Sequence, residues 1–98
     1  MKLRVVLTPA AEQDIEESFL WYEDKAEGLG DAFRRQVRAA FDRVKARPLS
    51  FPIVEEDTRR VLLHKFSHAI YFILDRDRAV VTACVHESRD PQVWRSRR

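Results

Sequence analysis

Apolar residues recur at two different spacings along this chain, and each change of spacing marks an element. Ala11, Ile15, Phe19, Tyr22 and Ala26 follow one another at steps of four, four, three and four, the stripe of an amphipathic helix. Thr8 is a good N-cap and Pro9 suits the first helical position, where a missing N–H costs nothing. The pattern predicts a helix from about Pro9 to Lys25 or Glu27, stopped by the only two glycines, Gly28 and Gly30. Phe33, Val37, Ala40, Phe41 and Val44 form a second stripe, opened by Asp31 and closed at Arg47 before Pro48. So short a connection predicts an antiparallel helical hairpin. Glu12, Glu16, Glu23 and Glu27 on one helix face Arg34, Arg38 and Lys45 on the other, an arrangement expected to be ion-paired or solvated.

Elsewhere the runs are short and β-branched. Lys2–Leu7, Thr58–His64, Ala69–Leu74 and Ala79–His86 read as four strands, the last two joined by the polar turn Asp75–Arg78. Pro48–Asp57 reads as a loop with Leu49, Phe51 and Ile53 as buried anchors, and Glu87–Arg98 as a turn followed by a short helical piece. The order is β-α-α-β-β-β. It predicts a single α+β domain over 1–98, an antiparallel helical hairpin packed on a mostly antiparallel four-stranded sheet.

The last two strands are apolar at both parities, so both sheet faces need cover, and two helices can cover only one. Val93, Trp94 and the loop anchors are candidates to close the second face; a partner chain is the other. Leu20 lies opposite the first helix's stripe and Trp21 lies off it, which leaves apolar surface without an evident role.

Composition narrows the class. Apolar types make up 45% and charged types 35% of 98 residues, excluding disordered, collagen-like and low-complexity chains. The longest apolar run, Ala69–Leu74, is far too short for a membrane span, and no signal peptide is visible. A single cysteine, Cys84, cannot form a disulfide framework, so a reducing cytoplasm is expected. The net charge is +2 but unevenly spread: 1–57 hold 9 basic against 12 acidic residues, and 58–98 hold 9 against 4. The second part therefore suits either an anionic partner or a solvated basic face.

Motifs for nucleotide or metal chemistry are missing. There is no glycine-rich phosphate loop, H-E-x-x-H or C-x-x-C, and His64, His68 and His86 have no ligand spacing, so no cofactor and no metal are expected. What remains is basic and aromatic: Arg59, Arg60, His64, Lys65 and His68 around the second strand, then His86, Arg89, Trp94, Arg95, Arg97 and Arg98 after the fourth. Regular alternation sends Arg59 and Arg60 to opposite faces. The set is compatible with a metal-independent RNA-cleaving site, in which His86 moves a proton beside Arg89. It is equally compatible with an electrostatic docking surface.

Four stretches carry a resemblance that spans essentially the whole chain: VVLTPAAEQDIEESFLWYE, GDAFRRQVRAAFDRVKARP, RRVLLHKFSHAIYFIL and VVTACVHESRDPQVW. In this order they resemble the RelE/ParE superfamily of toxins from bacterial type II toxin–antitoxin modules, in particular the ParE, or plasmid-stabilisation, branch. The resemblance implies a growth-inhibiting toxin that binds and poisons DNA gyrase. It also implies a hetero-oligomer with a ParD-like antitoxin, whose acidic C-terminal segment would cover apolar grooves. Arg60, His68, His86, Arg89, Trp94 and Arg97 become target-binding candidates, and Leu20, Trp21, Tyr71 and Ile73 antitoxin-binding candidates. RelE-like members resemble ribosome-dependent mRNA endoribonucleases instead. Those carry an arginine where this chain has His68 and a tyrosine near the position of Trp94. These departures favour gyrase, and a family member that only binds its antitoxin is a further reading.

Overall fold

The computed structural model describes residues 3–97, so Met1, Lys2 and Arg98, including two cations of the sequence reading, lie outside it. The elements are β1 (Arg4–Leu7), α1 (Pro9–Lys25), α2 (Leu29–Ala46), β2 (Ile53–Glu55), β3 (Thr58–Leu62), β4 (His68–Asp75), β5 (Arg78–His86) and α3 (Gln92–Arg95), with a 3-10 turn at Pro48–Ser50. The α+β class and the helical hairpin match expectation. The sheet does not: it has five strands in the order β1-β5-β4-β3-β2 rather than four. The extra strand, β2, lies where a loop was expected and is three residues long, too short for any periodicity to register. β1 runs parallel to β5, pairing Arg4 with Arg78 and Leu7 with Val81, while the other pairs are antiparallel.

α1 starts as its sequence indicates, with the Thr8 side chain accepting from the Ala11 N–H at 3.1 Å. The two glycines behave differently from each other. Gly28 takes the left-handed conformation (φ 86°) and turns the chain, whereas Gly30 lies inside α2, which begins two residues earlier than Asp31. A Cβ on Gly30 would stand 2.7 Å from Phe19 Cδ1 and 2.8 Å from the Phe19 carbonyl oxygen, so Gly30 lets the helices approach. Of the expected cross-helix pairs, Arg34 and Glu16 bond at 2.5 Å, while Glu23 instead accepts the Gly28 and Gly30 N–H groups at 2.9 and 3.0 Å.

Both sheet faces are covered. Phe33, Val37, Ala40 and Val44 of α2 and Ala11 of α1 pack on Val61, Ile70, Phe72, Val81 and Cys84. On the opposite face Ala69, Tyr71, Ala83 and Val85 lie under Trp94, with Val54 and Val93 at the margin. A bulge at Thr82 explains the missing alternation in β5: Tyr71 opposes Ala83, but Phe72 opposes Val81, so the side-chain parity switches between them. Two of the expected loop anchors fail. Leu49 is 72% and Ile53 53% exposed, because the second face is closed by α3 rather than by that loop; only Phe51 packs on the core. His64, expected in the second strand, lies beyond its end and is exposed. No helix among the described residues is long and apolar enough to cross a membrane.

Candidate functional site: a cleft between α1 and the end of β5

β1 stops beside Val81, so the second half of β5 has no strand on that side. Side chains take over. Asp14 of α1 accepts the Cys84 backbone N–H at 3.0 Å and forms an ion pair with Arg97, which reaches back to the Thr82 carbonyl at 3.4 Å. Two backbone groups of this edge are thus satisfied by side chains without a strand. A cleft of about 480 Å³ opens there, lined by Asp14, Glu17, Ser18, Trp21 and Tyr22 of α1, Cys84, Val85 and His86 of β5, His68 of β4, and Arg89.

The floor is His68, which is buried. Its Nε2 lies 3.3 Å from the Ser18 hydroxyl and its Nδ1 3.3 Å from the Tyr22 hydroxyl. Rings of Tyr22, Phe33 and His86 stand 5.6, 5.0 and 5.3 Å away, centroid to centroid. Burial, reinforced by His86 and partly opposed by Asp14, lowers its pKa from 6.5 to about 4. His68 is therefore neutral at pH 7, and both ring nitrogens are matched to hydroxyls. Burial also pushes the Cys84 thiol up to about 12, helped by Asp14, which leaves that sulfur inert. Burial, with a smaller contribution from Cys84, raises Tyr22 as well.

His86, the cross-strand partner of His68, is exposed, and its Nδ1 accepts from the Ser88 N–H at 3.0 Å, with the Ser88 hydroxyl at 2.8 Å. Its Nε2 is left to carry the proton in the neutral ring. Arg89 is exposed at the rim and forms no ion pair among the described residues. Glu17, also exposed, has no ion pair or hydrogen bond among them. The cleft is thus close to charge balance: Asp14 is matched by Arg97, and one further carboxylate, Glu17, and one further guanidinium, Arg89, line it.

The target-binding candidates do not assemble into one surface. His68, His86 and Arg89 meet in the cleft. Arg97 is tied to Asp14 beside it and is engaged in holding the tail. Arg60 pairs in register with Tyr71 and so projects to the other sheet face, where Trp94 stacks on Tyr71 with centroids 4.3 Å apart and 11° between planes. Arg59 goes the opposite way, as alternation requires, and donates to the Phe51 carbonyl at 2.7 Å. Among the antitoxin-binding candidates, Tyr71 is buried under Trp94 rather than uncovered, and Ile73 is half-buried. Leu20 and Trp21 are each 57% exposed.

Asp14, Ser18 and Tyr22 were not singled out as site residues from the sequence. Asp14 and Ser18 lie two turns and one turn before Tyr22 of the apolar stripe, and that spacing is the signal that marks them. Among the described residues no three His, Cys, Asp or Glu side chains are grouped to share a metal ion.

No family model matches the sequence, and no curated protein matches it. Its fold is similar to that of a chain in the solved structure described as "Chromosomal ParDE TA system from P. aeruginosa", with a TM-score of 0.71. The two are 11% identical, and the match covers 87% of this chain and 96% of that one. At that identity the likeness establishes a shared fold.

Proposed function

We propose that this chain is the toxin of a type II toxin–antitoxin module, which arrests growth by binding and poisoning DNA gyrase. A ParD-like antitoxin would neutralise it in a cytoplasmic hetero-oligomer. The observation that carries the reading is agreement in fold with a chain of a ParDE system over 87% of this chain and 96% of that one. The RelE/ParE-like stretches of the sequence run in the same sense from Val5 to Trp94.

The character of the cleft supports a binder over a nuclease. Cleaving a phosphodiester adds charge to an already anionic group, and a catalyst needs cations aimed at it. Here His68 is neutral, Arg97 is engaged by Asp14, and the free Arg89 shares its cleft with the carboxylate of Glu17. One observation favours the second reading, a ribosome-dependent endoribonuclease: His86 and Arg89 do share the cleft with His68.

Expression in a bacterium that lacks the antitoxin separates these readings. Gyrase poisoning predicts growth arrest with trapped gyrase–DNA cleavage complexes and an SOS response. Codon-phased mRNA cuts abolished by His86→Ala would replace it with the nuclease. Undisturbed growth would leave only an antitoxin-binding role.

A further inference from the structure

We infer that the outward face of α1 is a docking surface for a basic, apolar segment of a partner protein, distinct from the acidic antitoxin segment expected on the basic half of the chain. Leu20 and Trp21 are the large apolar residues this helix leaves in solvent, each 57% exposed. With about 100° between successive residues, Glu17 and Asp24 fall between them on the helix surface. Both carboxylates are exposed, and neither has an ion pair or hydrogen bond among the described residues. The other acids of the helix are engaged elsewhere or point away: Asp14 holds Arg97, Glu16 holds Arg34, and Glu23 caps the turn into α2.

The patch therefore combines two apolar anchors with two unpaired carboxylates against one lysine, Lys25, and its net negative charge is complementary to lysine or arginine beside apolar residues. Trp21 already receives a cation on its ring: the Lys25 ammonium lies 4.7 Å from the centroid. A partner's cation can take that place at the mouth of the cleft, where Glu17 and Trp21 both line the wall. An acidic segment would instead meet Glu17 and Asp24 head on, so this surface and the basic half of the chain select opposite partners. The inference does not rest on the toxin reading.

The test uses two amphipathic peptides of about 18 residues, long enough to form a helix on binding. They share the same apolar positions and carry either lysine or glutamate at the flanking ones. The full chain is titrated with each, and binding is read from the anisotropy of a dye on the peptide. The lysine peptide is expected to bind at least about tenfold tighter, a difference of about 1.4 kcal/mol. Added salt should weaken it. Because the chain as a whole is +2, unspecific attraction would favour the glutamate peptide, which makes the order of affinities diagnostic. Glu17→Lys together with Asp24→Lys should reverse that order, and Trp21→Ala should weaken the lysine peptide. All three positions are exposed, and circular dichroism confirms folding of the variants. Equal or tighter binding of the glutamate peptide to the unaltered chain overturns the inference. So does lysine-peptide binding that Trp21→Ala leaves unchanged.

Discussion

His68 and Asp14 make the cleft what it is, and each has a measurable signature. The folded state holds the imidazole pKa of His68 at about 4 against 6.5 in the unfolded chain. Between these values the unfolded chain binds the extra proton, so this contribution is fully present above about pH 6.5 and is lost as pH falls toward 4. The loss amounts to about 3 kcal/mol at most. Urea denaturation at a series of pH values should show a steeper fall for the unaltered chain than for His68→Gln, which keeps an amide for the hydroxyls but has no proton to gain. Parallel pH profiles would remove His68 as the cause. Asp14 joins α1, the free edge of β5 and Arg97 through one carboxylate. Asp14→Ala leaves the Cys84 N–H and the Arg97 guanidinium without their acceptor, and is expected to cost about 2–4 kcal/mol in the same assay. Asp14→Asn, which still accepts from Cys84, should cost less.

α3 is only four residues long, yet it closes one face of the sheet through Trp94. Trp94→Ala should destabilise the chain by about 3–5 kcal/mol and expose Tyr71, visible as a rise in binding of a hydrophobic dye. Apolar residues at both strand parities demand cover in the sequence, and Val93 and Trp94 stand there as candidates beside the loop anchors and a partner chain; the fold selects Trp94. The sequence also places both helices, which repeat their spacing over several turns, and four strands, which are short β-branched or apolar runs. What it missed has physical reasons. β2 has too few residues to show a period. The Thr82 bulge counts as one ordinary position until its neighbours' pairing is known. Gly30 looked like a helix stop because its closest neighbour, Phe19, is eleven positions away. By sequence proximity His68 groups with cations, although its environment comes from Tyr22 and Phe33, which lie on the two helices far away along the chain. The members of the cleft were named in part, but their meeting depends on where β1 ends.

Across the whole molecule, charge is divided between an acidic first helix and a basic second half, and the two should respond to salt in ways that identify their partners. For an acidic antitoxin segment bound to the basic half, raising ionic strength from about 0.05 to 0.5 M should slow association more than it speeds dissociation, measured by surface plasmon resonance. Salt-independent association would argue for a purely apolar contact. The position of β5 has a consequence of another kind, for the order of events during synthesis. It is the strand between β1 and β4, and it pairs residues near the two ends of the chain. A ribosome delivers β1 and the helical hairpin well before β4 and β5, which follow one another across a tight turn. Until Arg78–His86 emerges, β1 has no neighbour and the apolar side of the hairpin has only part of its sheet. Completion of this fold, and with it the cleft beside α1, waits for β5 to leave the ribosome, so a chain released short of β5 carries neither.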